Sequence, residues 1–537
     1  MVRKGSQKVR TGCFTCNPLN IISRSRKIKC DERKPDCLRC ATSGRPCDGY
    51  PAPKNGPRPH QLQPIQMVPD ISSQAESRAI QFFSEMVGPN LPGPTDPYFW
   101  THLVLQSSTC EPAVRHSLIA ISTLYEDTST ARSRAAYSKV KPLVNNSLAL
   151  THYNAAIKEL MSITDQGLVL LICVLFICIE LSQSDRDAAL RHYRHGNAIL
   201  KSFDSGHLSR IDEWLRPQFH RLHTLYYFFG DRSESPGWNR ILSETPIFFS
   251  TLKEAEDMID NIFNHSFQLV RRGAPYRVGA QQHEQPGAEL LQEQGKLSHL
   301  LNVWYTVFNN LEAKSTHKSA SIPAVRRAYL LSKYRLCRIW TAMAFSPSEM
   351  DYDKYEDDYR RIVKDLGQAA DERTRSRSRN NFEFEMGFIV PIFFMIIKCR
   401  YLDLRLQALS YLQVLAAPRE ALWEKNGMYA LARRIIEIEH GLLLNTDGTP
   451  SAILGSTCQG LPPNEKRVVH FVTGWTGENS NDFEGHKVQE RNVVFVFKSL
   501  DDRVLFRPDV IDEEPVPLPA WSPEATKGEV LPRAAQI

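Results

Sequence analysis

The sequence lacks any run of apolar residues long enough to cross a lipid bilayer. Its longest such run covers residues 168–179, which lie between Gly167 and Glu180, whereas a membrane-spanning helix needs about 20 residues. Residues 1–10 are basic and polar, and no apolar segment follows them as it would in a secretory signal. These absences predict a protein without a membrane partner, in a reducing compartment where cysteines stay as thiols or metal ligands.

The motifs of common enzyme classes are also missing. There is no glycine-rich phosphate loop, no G-x-S-x-G turn and no H-E-x-x-H helix. His192 and His195 lie three residues apart on an expected helix, but no adjacent cysteine or carboxylate completes a ligand set, so we interpret them as surface or packing histidines. The protein is therefore not expected to be an enzyme, and we assign no catalytic residue.

Basic residues are concentrated in one part of the chain. The whole chain carries 66 Lys and Arg against 60 Asp and Glu, for a net charge of +6. Residues 1–60 contain fourteen of the basic residues and four of the acidic ones, so this stretch is +10 and the remaining 477 residues are −4. A basic segment on a slightly acidic body predicts that the first 60 residues alone contact a polyanion, such as double-stranded DNA.

The twelve cysteines fall into two groups of six. Those of the first group are scattered, and we expect them to fill core space as small apolar side chains: Cys110, Cys173, Cys178, Cys337, Cys399 and Cys458. Those of the second group follow the spacing C-x2-C-x13-C-x6-C-x2-C-x6-C: Cys13, Cys16, Cys30, Cys37, Cys40 and Cys47. Zinc takes four thiolates, so six can hold two ions only if two sulfurs each bridge both metals. A single zinc site with two spare thiols and an iron–sulfur centre are the alternatives.

The clustered cysteines and the residues between them resemble the Zn2Cys6 module of fungal transcription factors. The resemblance is carried by three segments: Thr11-Gly-Cys-Phe-Thr-Cys16, Arg26-Lys-Ile-Lys-Cys-Asp-Glu-Arg-Lys-Pro-Asp-Cys-Leu-Arg-Cys40 and Ser43-Gly-Arg-Pro-Cys47. It implies two Zn2+ ions per chain, in a nuclear protein that regulates transcription by RNA polymerase II. By residue, it implies that Cys13 and Cys37 bridge the ions, that Cys16 and Cys30 complete one site, and that Cys40 and Cys47 complete the other.

The same resemblance implies how DNA is read. The family recognises CGG triplets in the major groove, and its base-reading lysine matches Lys27, three residues before Cys30. Lysine can donate to the O6 and N7 acceptors of guanine. The neighbouring basic residues are expected to contact phosphates, which position the module: Arg24, Arg26, Lys29, Arg33, Lys34 and Arg45.

One feature departs from the family pattern. Thirteen residues separate Cys16 from Cys30, whereas the family usually has six, and residues 17–23 are the surplus. Either the reading helix starts later, near Ser23, or a misplaced splice junction added these residues. The alternative function is therefore a regulator-derived protein that acts through protein–protein contacts because its zinc module is interrupted.

The rest of the chain is expected to be mainly helical. Six prolines in residues 51–70 predict an extended linker without heptads, so any homodimer should form through the helical domain. Ser73 is expected to cap the first helix. Apolar spacing predicts further helices over residues 111–125, 146–161, 168–181, 188–200, 215–229, 252–270, 297–311, 325–345, 352–366, 382–415 (bent at Pro391) and 419–443. The runs 468–472 and 493–497 are typical of β-strands.

These patterns predict a mainly α fold with six segments. They are a basic arm (1–12), the zinc module (13–50), a proline-rich linker (51–72), a large all-helical domain (73–445), a small β-rich appendage (446–513) and a disordered tail (514–537). The stretches ESRAIQFFSEMVGPNLPG, FWTHLVLQSSTCEPAVRHSLIAISTLYE and ALTHYNAAIKEL are similar to the helical regulatory domain of filamentous-fungal transcription factors. That similarity implies a regulatory or dimerisation role, with contacts to the transcription machinery, for a metabolic or secondary-metabolite gene set.

Overall fold

The structure is a computed structural model that describes residues 30–31, 33–34, 36–44, 47, 73–132, 146–202, 210–229, 247–279, 281–316, 321–376, 380–453, 460–474, 491–499 and 503–511. The chain divides into two compact units, Met1–Ile71 and Ser72–Ile537. In the smaller unit, the described secondary structure is one short helix, α1 (Leu38–Thr42).

The larger unit is mainly helical, as the sequence predicts. Its first helices begin at capping residues that the sequence supplies: the side chains of Ser73, Asn146 and Asp165 each accept a hydrogen bond from the backbone N–H three residues later. These helices are α2 (Gln74–Phe82), α3 (Gly88–Asn90), α4 (Val104–Cys110), α5 (Pro112–Arg132), α6 (Ser147–Leu160), α7 (Gln166–Ser182), α8 (Arg186–Ser202) and α9 (Arg210–Phe229). Wider π turns occupy Phe83–Val87 and Phe99–Leu103.

Helix α7 lies at the centre of this first group of helices. Every residue from Leu170 to Ser182 is buried, and helices α5, α8 and α9 pack against it. The long apolar run in the sequence is therefore a core helix, since it has no polar face to present to solvent.

A second group of helices continues the same core. Helix α13 lies against α10, α12, α14 and α15. The helices are α10 (Leu252–Arg272), α11 (Ala274–Arg277), α12 (Ala288–Thr316), α13 (Ala324–Met343), α14 (Glu356–Ser376), α15 (Ile389–Lys398), α16 (Leu402–Leu415) and α17 (Lys425–His440), with a 3-10 turn at Glu349–Tyr355. One continuous apolar core runs from Ala79 to Ile511.

Short antiparallel sheets complete the larger unit. Strand β1 (Arg419–Glu420) pairs with β2 (Trp423–Glu424), and β3 (Leu442–Leu444) pairs with β4 (Pro450–Ile453). A three-stranded sheet has the order β5 (His470–Gly474), β6 (Arg491–Lys498) and β7 (Val504–Ile511). The Lys498 ammonium on β6 donates to the carbonyls of Arg277 and Pro347, both at 2.8 Å, so the sheet is joined to the helices.

Two helices predicted near the end of the helical domain are wrong in their extent. Residues 380–388 are not helical, and the predicted helix over 382–415 is two helices, α15 and α16, separated at residues 399–401. Pro391 lies in the first turn of α15, where its missing N–H costs no hydrogen bond, so it does not bend the helix. The predicted helix over 419–443 begins only at Lys425, after the β1–β2 hairpin, and ends at His440, just before Gly441, whose φ of 64° is left-handed.

Candidate zinc centre and nucleic-acid interface

Four of the six clustered cysteines belong to the described residues, and they lie close together. The Cys37 and Cys40 side chains are buried, and those of Cys30 and Cys47 are half-buried. The sulfurs of Cys37, Cys40 and Cys47 all lie within 4.8 Å of one another. A tetrahedral zinc ion with Zn–S bonds of about 2.3 Å would separate its sulfurs by about 3.8 Å, so these three thiols fit one zinc site.

Cys37 also belongs to a second group of candidate ligand atoms. Its sulfur, the Cys30 sulfur and an Asp31 carboxylate oxygen lie within 4.8 Å of one another. Cys37 is thus the one cysteine of the described residues that is common to both groups. A thiolate in this place has a second lone pair for a second metal ion, which is the property that a bridging ligand requires.

The local fold brings these sulfurs together. Helix α1 begins directly after Cys37, whose sulfur accepts a hydrogen bond from the Cys40 N–H at 3.2 Å. The Cys37 carbonyl accepts from Cys40 and Ala41 at 3.0 and 3.1 Å. A C-x2-C pair at the start of a helix therefore directs both sulfurs to the same side, and the turn at Ser43 and Gly44 carries the chain on toward Cys47.

Asp31 is a functional candidate that the sequence analysis missed. Its two carboxylate oxygens accept hydrogen bonds from the backbone N–H groups of Leu38 and Arg39, at 3.1 and 3.3 Å. Desolvation raises the pKa of the Asp31 carboxyl, but these backbone donors outweigh it, so the pKa is lowered overall. The signal in the sequence is an acidic residue directly after a ligand cysteine, within an otherwise basic stretch.

Only some of the predicted DNA-contacting residues belong to the part of the chain that the structure describes. Arg33 and Lys34 are described, and both are exposed between Cys30 and Cys37. The surplus segment 17–23 lies outside the described part of the chain. So do the other residues assigned to zinc or DNA: Cys13, Cys16, Arg24, Arg26, Lys27, Lys29 and Arg45.

The scattered cysteines take no part in a metal site among the described residues, where both candidate ligand groups lie in the smaller unit. Cys173, Cys178, Cys337 and Cys399 are buried in the helical core, as predicted. Burial raises the pKa of the Cys173 thiol to about 11 and that of Cys399 to about 12, so these thiols are neutral and unreactive. The prediction is wrong for Cys110, which is exposed at the end of α4, and Cys458 lies outside the described residues.

His192 lies in a small polar cluster rather than in a metal site. Its Nε2 lies 3.3 Å from the Tyr153 hydroxyl, which donates to a Glu180 carboxylate oxygen at 2.6 Å. Burial lowers the pKa of His192 to about 4, so the imidazole is neutral near pH 7. The arrangement agrees with the interpretation of His192 as a packing residue.

Among the described residues, no helix combines the length and hydropathy needed to cross a membrane.

Comparison with known proteins assigns the cysteine-rich segment to a family. Residues 11–57 match the family model described as the fungal Zn(2)-Cys(6) binuclear cluster domain. The match includes all six clustered cysteines and residues 17–23. No solved structure matches the chain.

Several curated proteins are similar to this chain. The aspercryptin biosynthesis cluster-specific transcription regulator atnN of Emericella nidulans is 26% identical over 376 residues, which cover 60% of this chain and 58% of that protein. Transcription regulator lscL of Purpureocillium lilacinum is 27% identical over 206 residues, or 34% of this chain and 49% of that protein. The arginine metabolism regulation protein II of Saccharomyces cerevisiae is 42% identical over 62 residues, or 12% of this chain and 6% of that protein.

These similarities extend beyond the cysteine cluster. The 376-residue alignment is longer than the whole smaller unit, so it includes part of the larger unit, which we also call the helical unit. The chain nevertheless spans only about half the length of the two curated relatives that match it over more than 200 residues. The relatives are named as transcription regulators, which agrees with the prediction that the protein is not an enzyme. Residues 11–57 thus carry the fungal Zn(2)-Cys(6) binuclear cluster domain, and the chain is similar to proteins named as transcription regulators.

Proposed function

We propose that this protein is a zinc-dependent, DNA-binding transcription regulator that holds two zinc ions through six thiolates. The observation that carries the proposal is the position of Cys37. Its sulfur belongs to two different groups of candidate ligand atoms, and within each group the atoms lie within 4.8 Å of one another. Cys13 and Cys37 would bridge the ions, Cys16 and Cys30 would complete one site, and Cys40 and Cys47 the other. When bound, zinc supplies the folding free energy that a module of this size needs.

The protein's own basic residues would supply the contacts to DNA. Lys27 is proposed to donate to guanine in a CGG triplet, since it is the lysine that matches the family's reading position. Arg24, Arg26, Lys29, Arg33 and Lys34 would contact phosphates, and the exposure of Arg33 and Lys34 supports that role. A nuclear location follows from this function.

The helical unit would supply regulation, any homodimer contact and the contacts with the transcription machinery. One relative is named as specific for a biosynthesis cluster, which supports a metabolic or secondary-metabolite gene set as the target. A second function, protein–protein contact without DNA reading, is supported by the surplus residues 17–23, which interrupt the family spacing between Cys16 and Cys30.

The test is zinc content and duplex binding by the purified full chain. We expect two zinc ions per chain and a duplex with CGG triplets bound more tightly than a random duplex. Lys27→Ala should lower this preference by about 1–3 kcal/mol, whereas Arg33→Ala should weaken both duplexes alike. One zinc ion per chain would overturn the bridged cluster. Binding to neither duplex at two ions per chain would favour the protein–protein function.

A further inference from the structure

We infer that Asp31 is a positioning residue for DNA binding: its carboxylate fastens the chain after Cys30 to the start of α1, and thereby holds Arg33 and Lys34 in a fixed orientation toward phosphates. The inference rests on the proposed function, because it assigns a role within the same interface.

The Asp31 carboxylate forms two hydrogen bonds across the loop that leads from Cys30 to α1, and we call this pair of hydrogen bonds the clasp. One oxygen, Oδ2, accepts from the Leu38 N–H at 3.1 Å, and the other, Oδ1, accepts from the Arg39 N–H at 3.3 Å. These hydrogen bonds span seven and eight residues of the chain, and both end on the first turn of α1. Both N–H groups lack a helical partner because they belong to a helix N-terminus, so the carboxylate satisfies donors that would otherwise require water.

The residues enclosed by the clasp are those proposed to contact DNA. Arg33 and Lys34 lie between Asp31 and α1, and both side chains are exposed. Without the carboxylate, this loop would lose the hydrogen bonds that join Asp31 to the start of α1. Arg33 and Lys34 would then sample more orientations, and binding DNA would require more conformational entropy to be lost.

The position of Asp31 also raises the question of whether it ligates zinc. Its oxygen lies within 4.8 Å of the Cys30 and Cys37 sulfurs. Both oxygens, however, already accept backbone hydrogen bonds, and six thiolates are enough for two bridged tetrahedral sites. We therefore assign the carboxylate to the backbone and not to the metal.

The negative charge of Asp31 separates two explanations, because simple electrostatics and a positioning role predict opposite effects of its removal on DNA binding. Removal of an acidic residue makes the module more positive, and that change alone tightens binding to DNA. Asp36 is the matched control: it is an exposed acidic residue in the same loop, with no hydrogen bond to the start of α1. Asp36→Ala should therefore leave binding unchanged or tighten it, whereas Asp31→Ala should weaken binding.

The experiment measures zinc content, duplex binding and backbone hydrogen exchange in the full chain and in three variants, Asp31→Ala, Asp31→Asn and Asp36→Ala. We expect all of them to retain the same zinc content. Asp31→Ala should bind the CGG and random duplexes alike about tenfold more weakly, with a shallower salt dependence, since phosphate contacts are lost. Asp31→Asn should be intermediate, because its amide oxygen can still accept one N–H.

Hydrogen exchange tests the clasp without DNA. Peptides containing Leu38 and Arg39 should lose protection in Asp31→Ala and keep it in Asp36→Ala. A zinc loss in Asp31→Ala would make Asp31 a ligand and overturn the inference, as would binding equal to that of Asp36→Ala. If the unmodified chain binds no DNA, the proposed function fails, whereas unchanged protection in Asp31→Ala would disprove the clasp itself.

Discussion

Cys37 occupies a unique position among the described cysteines, because it is shared between two groups of candidate ligands. Cys47 belongs to only one of them. We therefore predict that Cys47→Ala loses about one of two zinc ions, whereas Cys37→Ala weakens both sites and loses more. Zinc content by elemental analysis checks this, with Cys110→Ala as the control, since Cys110 is exposed on the helical unit. Equal losses in Cys37→Ala and Cys47→Ala would argue against a bridging role for Cys37.

A second residue-scale feature is a pair of buried carboxyl groups, Glu383 and Glu420. The Glu420 oxygens accept four backbone N–H groups, from residues 387, 388, 389 and 417, at 2.7–3.2 Å. Glu383 Oε2 is buried with no hydrogen-bond partner, while its other oxygen faces Asn380 and Arg373. A Cβ added to Gly387 would lie 2.6 Å from Glu383 Oε2 and 2.7 Å from a Glu420 oxygen, so the two carboxyls flank one small volume.

This arrangement favours one proton shared by the pair. Burial raises the pKa of both groups, and the negative charge of Glu383 raises that of Glu420 further, although Arg373 partly opposes the shift at Glu383. We place the proton on Glu383, because the Glu420 oxygens are already satisfied by N–H donors. A carboxyl whose pKa is raised on folding stabilises the fold below its unfolded pKa of about 4.3, and this stability is lost as pH rises through the folded pKa.

The prediction from this pair is a change in the pH dependence of stability. As pH rises from about 5 to 8, the pair should contribute less to the free energy of unfolding, so the stability difference between the unmodified chain and Glu383→Gln should shift in favour of Glu383→Gln by on the order of 1 kcal/mol. Denaturant unfolding at several pH values measures it. Glu289→Gln, at a side chain that is 88% exposed, is the control and should leave the slope unchanged. A stability difference between Glu383→Gln and the unmodified chain that does not vary with pH would show that the pair does not titrate in this range.

At the scale of elements, apolar spacing predicted most helices of the larger unit but not the break between α15 and α16. Residues 382–415 contain long apolar stretches, so their sequence resembles one helix. The break is caused by a tertiary contact: Arg400 is fully buried, and its guanidinium donates to the Lys398 carbonyl and to Glu349 at 2.7 and 2.9 Å. Glu349 lies 51 residues away in sequence, and no local pattern reports such a distant partner.

The strand β7 was missed for a different reason. The sequence predicted β5 and β6 from runs rich in valine and phenylalanine, but β7 contains Arg507, Pro508 and Asp509, which lower its β-propensity. Tertiary contacts compensate, since Asp509 pairs with the guanidinium of Arg434 on α17 at 3.1 Å. In the smaller unit, similarly, the cysteine spacing predicts candidate zinc ligands but not the hydrogen bonds of Asp31 to Leu38 and Arg39, which depend on the fold of the loop.

The surplus segment 17–23 leads to a prediction about the element that reads DNA. Its deletion should raise the ratio of CGG to random binding by at least about tenfold, or about 1.4 kcal/mol, because Lys27 would then lie in a gap of six residues between Cys16 and Cys30. Zinc content should not change, since doubling a loop costs only about 0.6 kcal/mol. Replacing the segment with seven Gly and Ser residues is the length control and should keep the low ratio. Equal ratios for the deleted and original chains would identify the segment as a harmless loop.

At the scale of the whole molecule, the two units are stabilised by different interactions. In the smaller unit, the buried cluster of the described residues consists of Cys37 and Cys40, with Cys30 and Cys47 against it. The larger unit has an extensive apolar core, and its described residues contain no group of metal-ligand side chains like those of the smaller unit. Composition already indicated this difference, because residues 1–60 are basic and cysteine-rich whereas the body is slightly acidic.

Removal of zinc should therefore unfold one unit and leave the other intact. Without metal, the smaller unit loses a contribution of order 10 kcal/mol, more than a module of this size can replace by apolar burial. We predict that a strong chelator abolishes DNA binding and removes hydrogen-exchange protection from residues 30–47. The main thermal transition should shift by less than about 1 °C, because the apolar core of the larger unit supplies its stability. Calorimetry of the full chain with and without chelator measures this, and Cys37→Ala without chelator is the matched control for side effects of the reagent. A shift of several degrees in the main transition that Cys37→Ala does not reproduce would mean that the helical unit also depends on a bound metal.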